Sequence, residues 1–388
     1  MKKYMIIVIF ALTALALTSC GDIFFAFKNR QLLKSTYTAA GIGLMRNPID
    51  FVVQNDRMLA VSIIEEEPDT VILDTGFSGG LAEIHTISEL NDSYSKVKMQ
   101  GATQKSKVYM KMDTVNLRFL WKHHTLKLDV CLNNDVLCGE SLSKYPILGA
   151  KVIFPFEITY TKVNLNFTDN KITYYENNDD TTFDVSGYKS IKCKFKWQEN
   201  LLYVYPVVNG IEYECLFDTG NNGYLILKNN KKAFEIQTND IVVEGTPGIS
   251  ITGIDNMGKF VIRDNEIVTL GEEDFTTTVM YVPDIIQSNM GLKFISRFDW
   301  FFKSGLLYYK PRNVEGVDYQ IKSPYRIIAT DKGLMVIMKV VDDKNTLRFG
   351  DIITSVNGDK ITAENICHYN ELLNNAKDWN EFEIEISH

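Results

Sequence analysis

Short apolar runs separated by turn residues dominate this chain, and they predict strands rather than helices. Ile49-Asp50-Phe51-Val52-Val53 and Met58 to Ile64 flank Asn55-Asp56, the pattern of a hairpin. Asp69-Thr70 leads into the fully apolar run Val71-Ile72-Leu73. Lys96 to Met112 has strand character on both sides of Gln100-Gly101-Ala102. Ile191 to Phe195 and Leu201 to Val208 read as strands, Asn209-Gly210 as a tight hairpin turn, and Ile211 to Phe217 as the strand after it. Lys231 to Ile236 is a short helix candidate. Gly245 to Gly258 holds four glycines and Pro247, and is either a mobile loop or hairpin, or a plain connector. The fold class this predicts is mainly β.

Two of the apolar runs end in the same three residues. Val71-Ile72-Leu73 precedes Asp74-Thr75-Gly76, and Cys215-Leu216-Phe217 precedes Asp218-Thr219-Gly220, 144 residues later. One Asp-Thr-Gly is an ordinary turn. Here the surroundings repeat as well. Ile147-Leu148-Gly149 and Asn289-Met290-Gly291 follow the two motifs, and at a constant offset of 142 Gly149 matches Gly291, Lys151 matches Lys293, Ile153 matches Ile295 and Phe156 matches Phe298. Both copies run on into an apolar hairpin closed by a tyrosine pair, Tyr174-Tyr175 and Tyr308-Tyr309. A period this long indicates a duplicated lobe, not a solenoid. Two carboxylates presented by matched strand-to-turn units suit acid–base chemistry with a shared proton.

On these motifs, residues 48–312 resemble the bilobal pepsin-like and retropepsin-like aspartic proteases. The resemblance implies a two-lobed acid-protease-like β-barrel fold, with lobe one at 48–180 and lobe two at 181–312. It implies Asp74 and Asp218 as the catalytic pair. Thr75 and Thr219 would brace the loops through reciprocal hydrogen bonds, and Gly76 and Gly220 would allow their close approach. The Gln100 region would take the place of the substrate-covering flap; an ordinary surface hairpin is the other reading. Three positions depart from the family pattern. Phe77 and Asn221 replace the small or hydroxyl residue that usually follows the motif, and Asn289 replaces an aliphatic residue. Phe77 has no side-chain donor for a carboxylate, whereas Asn221 has one.

The ends of the chain add two further pieces. Lys2 and Lys3 precede an apolar stretch from Met5 to Leu17, which is shorter than the ~20 residues that span a bilayer. It reads as a signal peptide. Leu17-Thr18-Ser19-Cys20 resembles a bacterial lipobox, so residues 1–20 would be a lipoprotein signal peptide and lipobox whose cleavage leaves Cys20 as the lipidated first residue, and 21–47 would be a tether or spacer. Residues 313–324 are polar and read as a linker. Beyond them, Gly350-Asp351-Ile352-Ile353 and Val356-Asn357-Gly358 resemble the signature of bacterial PDZ domains, which implies a PDZ-like α+β domain over 325–388. Gly333, Leu334, Met335 and Val336 would then bind a peptide by strand addition. A module that only packs on the protease body is the alternative.

Composition narrows the partners. A net charge of −8 and the lack of a dense Lys/Arg stripe argue against nucleic acid. Five histidines form no metal-ligand spacing, so no metal and no cofactor are expected. With Cys20 lipidated, five cysteines remain. Cys131–Cys138 and Cys193–Cys215 are the sequence-plausible bridges in an exported compartment. Together the resemblances imply a membrane-anchored aspartic endopeptidase of the bacterial cell envelope, acting on peptide or protein substrates through Asp74, Asp218 and an activated water. The alternative is a catalytically inactive protease-like lipoprotein that captures peptides.

Overall fold

The computed structural model describes residues 48–85, 89–100, 105–119, 122–131, 136–138, 145–154, 162–175, 183–196, 201–228, 236–250, 253–254, 258–283, 285–303, 305–313, 323–342 and 346–387. The chain is mainly β. Cys20 and its lipobox, the 21–47 spacer, most of the Lys231–Ile236 segment and most of the 313–324 linker lie outside the described residues.

The first half holds strands β1 (Ile49–Gln54), β2 (Arg57–Ile64), β3 (Glu67–Asp74), β4 (Leu81–His85), β5 (Ser95–Gln100), β6 (Lys105–Arg118), β7 (Lys122–Cys131), β8 (Val136–Leu137), β9 (Ile147–Gly149), β10 (Lys162–Asn166) and β11 (Lys171–Tyr175). Asn55 and Asp56 both take positive φ, 51° and 56°, which gives the β1–β2 hairpin the twist its strands need. The next hairpin, β2–β3, turns on Glu65 and Glu66 at φ 48° and 73°. Glutamates are unusual there.

The second half repeats the plan. Its strands are β12 (Lys189–Ile191), β13 (Cys193–Lys196), β14 (Leu201–Val204), β15 (Val207–Val208), β16 (Ile211–Glu212), β17 (Cys215–Asp218), β18 (Leu225–Lys228), β19 (Ile241–Gly245), β20 (Ile249–Ser250), β21 (Gly253–Ile254), β22 (Gly258–Leu270), β23 (Glu273–Val282), β24 (Ser288–Gly291), β25 (Phe298–Lys303) and β26 (Leu306–Pro311). Asn209-Gly210 makes the expected turn between β15 and β16. The glycine-rich stretch contains the small β20–β21 pair.

The repeat is carried by strand pairing. β3 runs parallel to β9 with Asp74 opposite Gly149, and β17 runs parallel to β24 with Asp218 opposite Gly291. A one-turn helix follows each glycine: α1 (Ala150–Ile153) and α2 (Leu292–Ile295). Both glycines are sterically required. A Cβ on Gly149 would lie 2.3 Å from the Gly79 carbonyl oxygen, and one on Gly291 would lie 2.4 Å from that of Gly223.

The halves share one sheet and one core. β10 pairs with β25, so strands β12, β26, β25, β10, β11 and β1 run as a continuous ladder from one half to the other. Phe154 of the first half packs on Phe302 and Phe217 of the second, with ring centroids 4.8 Å and 6.5 Å apart. Phe217 meets Trp300 edge-on at 5.2 Å. These buried aromatics sit directly behind the Asp218 strand and stiffen it.

The C-terminal part holds β27 (Tyr325–Thr330), β28 (Gly333–Val340), β29 (Ile352–Val356), β30 (Asp359–Lys360), helix α3 (Ile366–Asn375) and β31 (Ile384–Ser387). It has its own apolar cluster of Tyr325, Ile327, Leu334, Val336, Ile353 and Trp379, among others. Yet it is tied to both halves. β28 pairs with β19, β27 pairs with β8, and Cys138 is disulfide-bonded to Cys367 on α3. That bridge corrects both expected ones. Among the described residues, Cys131, Cys193 and Cys215 form no disulfide. Cys193 and Cys215 both stand opposite Val204, so β14 lies between them and they are not neighbours.

Candidate active site

Each Asp-Thr-Gly forms a turn at the end of a buried strand, and the two turns meet. Thr75 N–H donates to Thr219 Oγ1 and Thr219 N–H donates to Thr75 Oγ1, both at 3.0 Å. Each hydroxyl in turn donates to the strand across: Thr75 Oγ1 to the Phe217 carbonyl and Thr219 Oγ1 to the Leu73 carbonyl, both at 2.7 Å. Both threonines are about 1% exposed, so these four bonds are shielded from water. A hydroxyl suits each place because one oxygen must accept and donate at once.

The interlocked turns place the two carboxyl groups against each other. Gly76 and Phe77 N–H donate to Asp74 Oδ1 at 2.8 and 3.0 Å. Gly220 and Asn221 N–H donate to Asp218 Oδ1 at 3.0 and 3.1 Å. The glycines leave the gap through which the aspartates approach. A Cβ on Gly76 would lie 2.3 Å from Asp218 Oδ1, and one on Gly220 would lie 2.3 Å from Asp74 Cγ.

Burial pushes the Asp74 carboxyl above the usual aspartate range, against the pull of the Gly76 and Phe77 amides. Asp218 is held well above that range, first by burial and then by the negative charge of Asp74. Two like charges in one buried site do not both ionise readily, so the pair keeps a proton between them and titrates as a unit. Such a pair can give a proton with one carboxyl and take one with the other.

Phe77, Asn221 and Asn289 have clear places. The Phe77 ring folds back into a cluster with Leu59, Ile72, Ala82 and Ile147. Asn221 does not give its side chain to Asp218; its Oδ1 accepts from Gly223 N–H at 2.8 Å. Asn289 does reach the carboxylate, with Nδ2 donating to Asp218 Oδ2 at 3.3 Å. The broken aliphatic pattern flags this residue in the sequence, but not its direction.

Gly333, Leu334, Met335 and Val336 lie far along the chain, at the start of β28. Gly333 needs its positive φ of 130°. This segment has no free edge. β27 pairs with it on one side; on the other, Leu334 and Met335 pair with β29, and Val336 bonds the backbone of Gly350 and Asp351. β27 lies between β28 and β8, next to α3. The Asn374 side chain bridges both the N–H and the carbonyl of Ile327 at 3.0 Å, and β8 pairs with Ala329 and Thr330.

A second polar cluster was not legible in the sequence. Glu83, His85 and Asp129 come together because β4 runs parallel to β7. Lys127 Nζ lies 2.7 Å from Glu83 and 3.3 Å from Asp129, so a side-chain cation already fills the cluster. Burial opposes a charge on His85, but hydrogen bonds to Asp129 and Glu89 hold its pKa above the usual value. No helix among the described residues is long and apolar enough to cross a membrane.

No protein-family model matches this chain, and no curated protein matches it.

Proposed function

We propose that this chain is an aspartic endopeptidase with a two-lobed, acid-protease-like β fold and a C-terminal PDZ-like domain. The observation that carries the reading is the interlock of two Asp-Thr-Gly turns, which sets Asp74 and Asp218 side by side in a buried, pseudo-symmetric pair. A binding scaffold has no need of two carboxyl groups pressed together at such a desolvation cost.

The mechanism follows from the shared proton. A water bound between the carboxyls loses its proton to the ionised aspartate as its oxygen attacks the scissile carbonyl carbon. The protonated aspartate gives its proton to the carbonyl oxygen. The resulting gem-diol collapses: one hydroxyl proton returns to the pair, the pair protonates the amide nitrogen, and the C–N bond breaks. Asp74 and Asp218 exchange roles within the cycle, so each is required. The Thr75–Thr219 bonds and the backbone amides hold both groups in place, which reduces reorganisation during the reaction.

Residues 1–20 place the enzyme outside the cytoplasm, anchored through Cys20. The PDZ-like domain acts in this reading as a brace, because its sheet continues from β19. The test is digestion of a diverse peptide library. Wild type is expected to cleave, to be blocked by a statine-type mimic whose hydroxyl replaces the water, and to be indifferent to a chelator. Activity that disappears with chelator and returns with added metal would refute the mechanism.

A further inference from the structure

We propose that Asn289 is a positioning residue for the aspartate pair, supplying the side-chain donor that neither turn provides and making the two carboxyls inequivalent. The inference rests on the reading of Asp74 and Asp218 as a working dyad.

The inequivalence is visible residue by residue. Each Oδ1 receives two backbone amides from its own turn, Gly76 and Phe77 in the first half and Gly220 and Asn221 in the second. To this point the halves match. Phe77 has no side-chain donor, and Asn221 turns its Oδ1 to the Gly223 N–H. Asn289 breaks the symmetry. It stands opposite Leu216 in the parallel β17–β24 pair and gives its amide to Asp218 Oδ2 at 3.3 Å. At the matching place in the first half stands Ile147, opposite Ile72, which can donate nothing.

Asn289 is 3% exposed, and its Oδ1 has no partner. An aliphatic residue would leave no such orphan, so the amide is retained at a cost. What it gains is the bond to Asp218. A neutral N–H donor favours the ionised form of the carboxyl it touches. The charge that acts on Asp218 is Asp74. Strand β14 brings Tyr203, whose hydroxyl donates to Gln287; β24 brings no charged residue; and Lys293 beyond it pairs with Asp56.

The test is a pH titration of carbon-13 signals from the aspartate carboxyls in wild type and Asn289→Leu, assigned with Asp74→Asn and Asp218→Asn. Without the donor, the first ionisation of the pair is expected to move up by about one pH unit. The acidic limb of kcat/KM should follow it. A role in packing alone would lower the melting temperature without moving the titration. An unchanged titration, or a shift downward, overturns the proposal. Should the leucine variant not fold, Asn289→Ile, which copies Ile147 at the matching place in the first half, removes the same donor without adding a charge, and the same upward shift is expected. The titration needs no turnover. If no peptide is ever cleaved, the hydrolase reading fails while the claim about Asn289 is still decided.

Discussion

Asp74 and Asp218 are held by contacts short enough that a single added methyl group would be felt. Gly76→Ala and Gly220→Ala each drive a Cβ into the opposing carboxyl, at 2.3 Å before relaxation. Overpacking of this kind costs about 1–3 kcal/mol, and displacement of the carboxyls costs about a hundredfold in kcat. Thermal melts with turnover assays check both; full activity in either variant would mean that the turns approach less closely. The buried pair also makes a claim about stability. Asp218 has its folded pKa raised, so the folded state binds more protons than the unfolded one as pH rises through the usual aspartate range. The stabilisation is full below the unfolded pKa and is lost as pH rises through the folded one. Asp218→Asn removes that loss. Its melting temperature should match wild type at low pH and exceed it increasingly toward neutral pH. Parallel curves at a constant offset would show that Asp218 titrates normally.

At the scale of elements, the hairpins written in familiar turn residues were legible. Asn55-Asp56, Asn209-Gly210 and Asn357-Gly358 all carry the positive φ values that their composition suggests. The Glu65-Glu66 turn was not, because glutamate has no intrinsic preference for that conformation and the β2–β3 pairing imposes it. The repeated strings Ile147-Leu148-Gly149 and Asn289-Met290-Gly291 marked two matching segments, but not that they pair parallel to β3 and β17. The disulfide was illegible for a different reason. Cys138 and Cys367 are 229 residues apart and meet only because β8 reaches β27 beside α3. Breaking it with Cys138→Ser should cost about 2–4 kcal/mol and speed amide hydrogen exchange at Ala329 and Thr330. Cys193→Ser, at a free cysteine, should change neither. Unchanged exchange after loss of the bridge would show that β8 holds to β27 without it.

The whole molecule is more continuous than its sequence segments suggest. Apolar periodicity marks where strands lie but not which sheet they join, so neither the β10–β25 ladder nor the β19–β28 junction could be read in advance. Of the site, the aspartates, threonines and glycines were readable because they recur as a motif; Asn289 was flagged by the broken aliphatic pattern, but a single amide says nothing about what it faces. The β19–β28 junction also bears on the C-terminal part. A chain ending at Arg312 exposes the β19 edge and the apolar face of Val243, Phe260 and Ile262 that Met338 covers. It should lose melting temperature and kcat together, on long and short substrates alike; a loss confined to KM on long substrates would instead indicate substrate recruitment.

The central claim is that Asp74 and Asp218 act as one acid–base unit. Its most direct test is turnover of one cleaved peptide by wild type, Asp74→Asn and Asp218→Asn, each checked for folding by its melting profile. Both variants are expected to fold and to lose about a thousandfold or more in kcat, because the remaining carboxyl cannot serve as acid and base together. Near-wild-type turnover by either one would contradict the account.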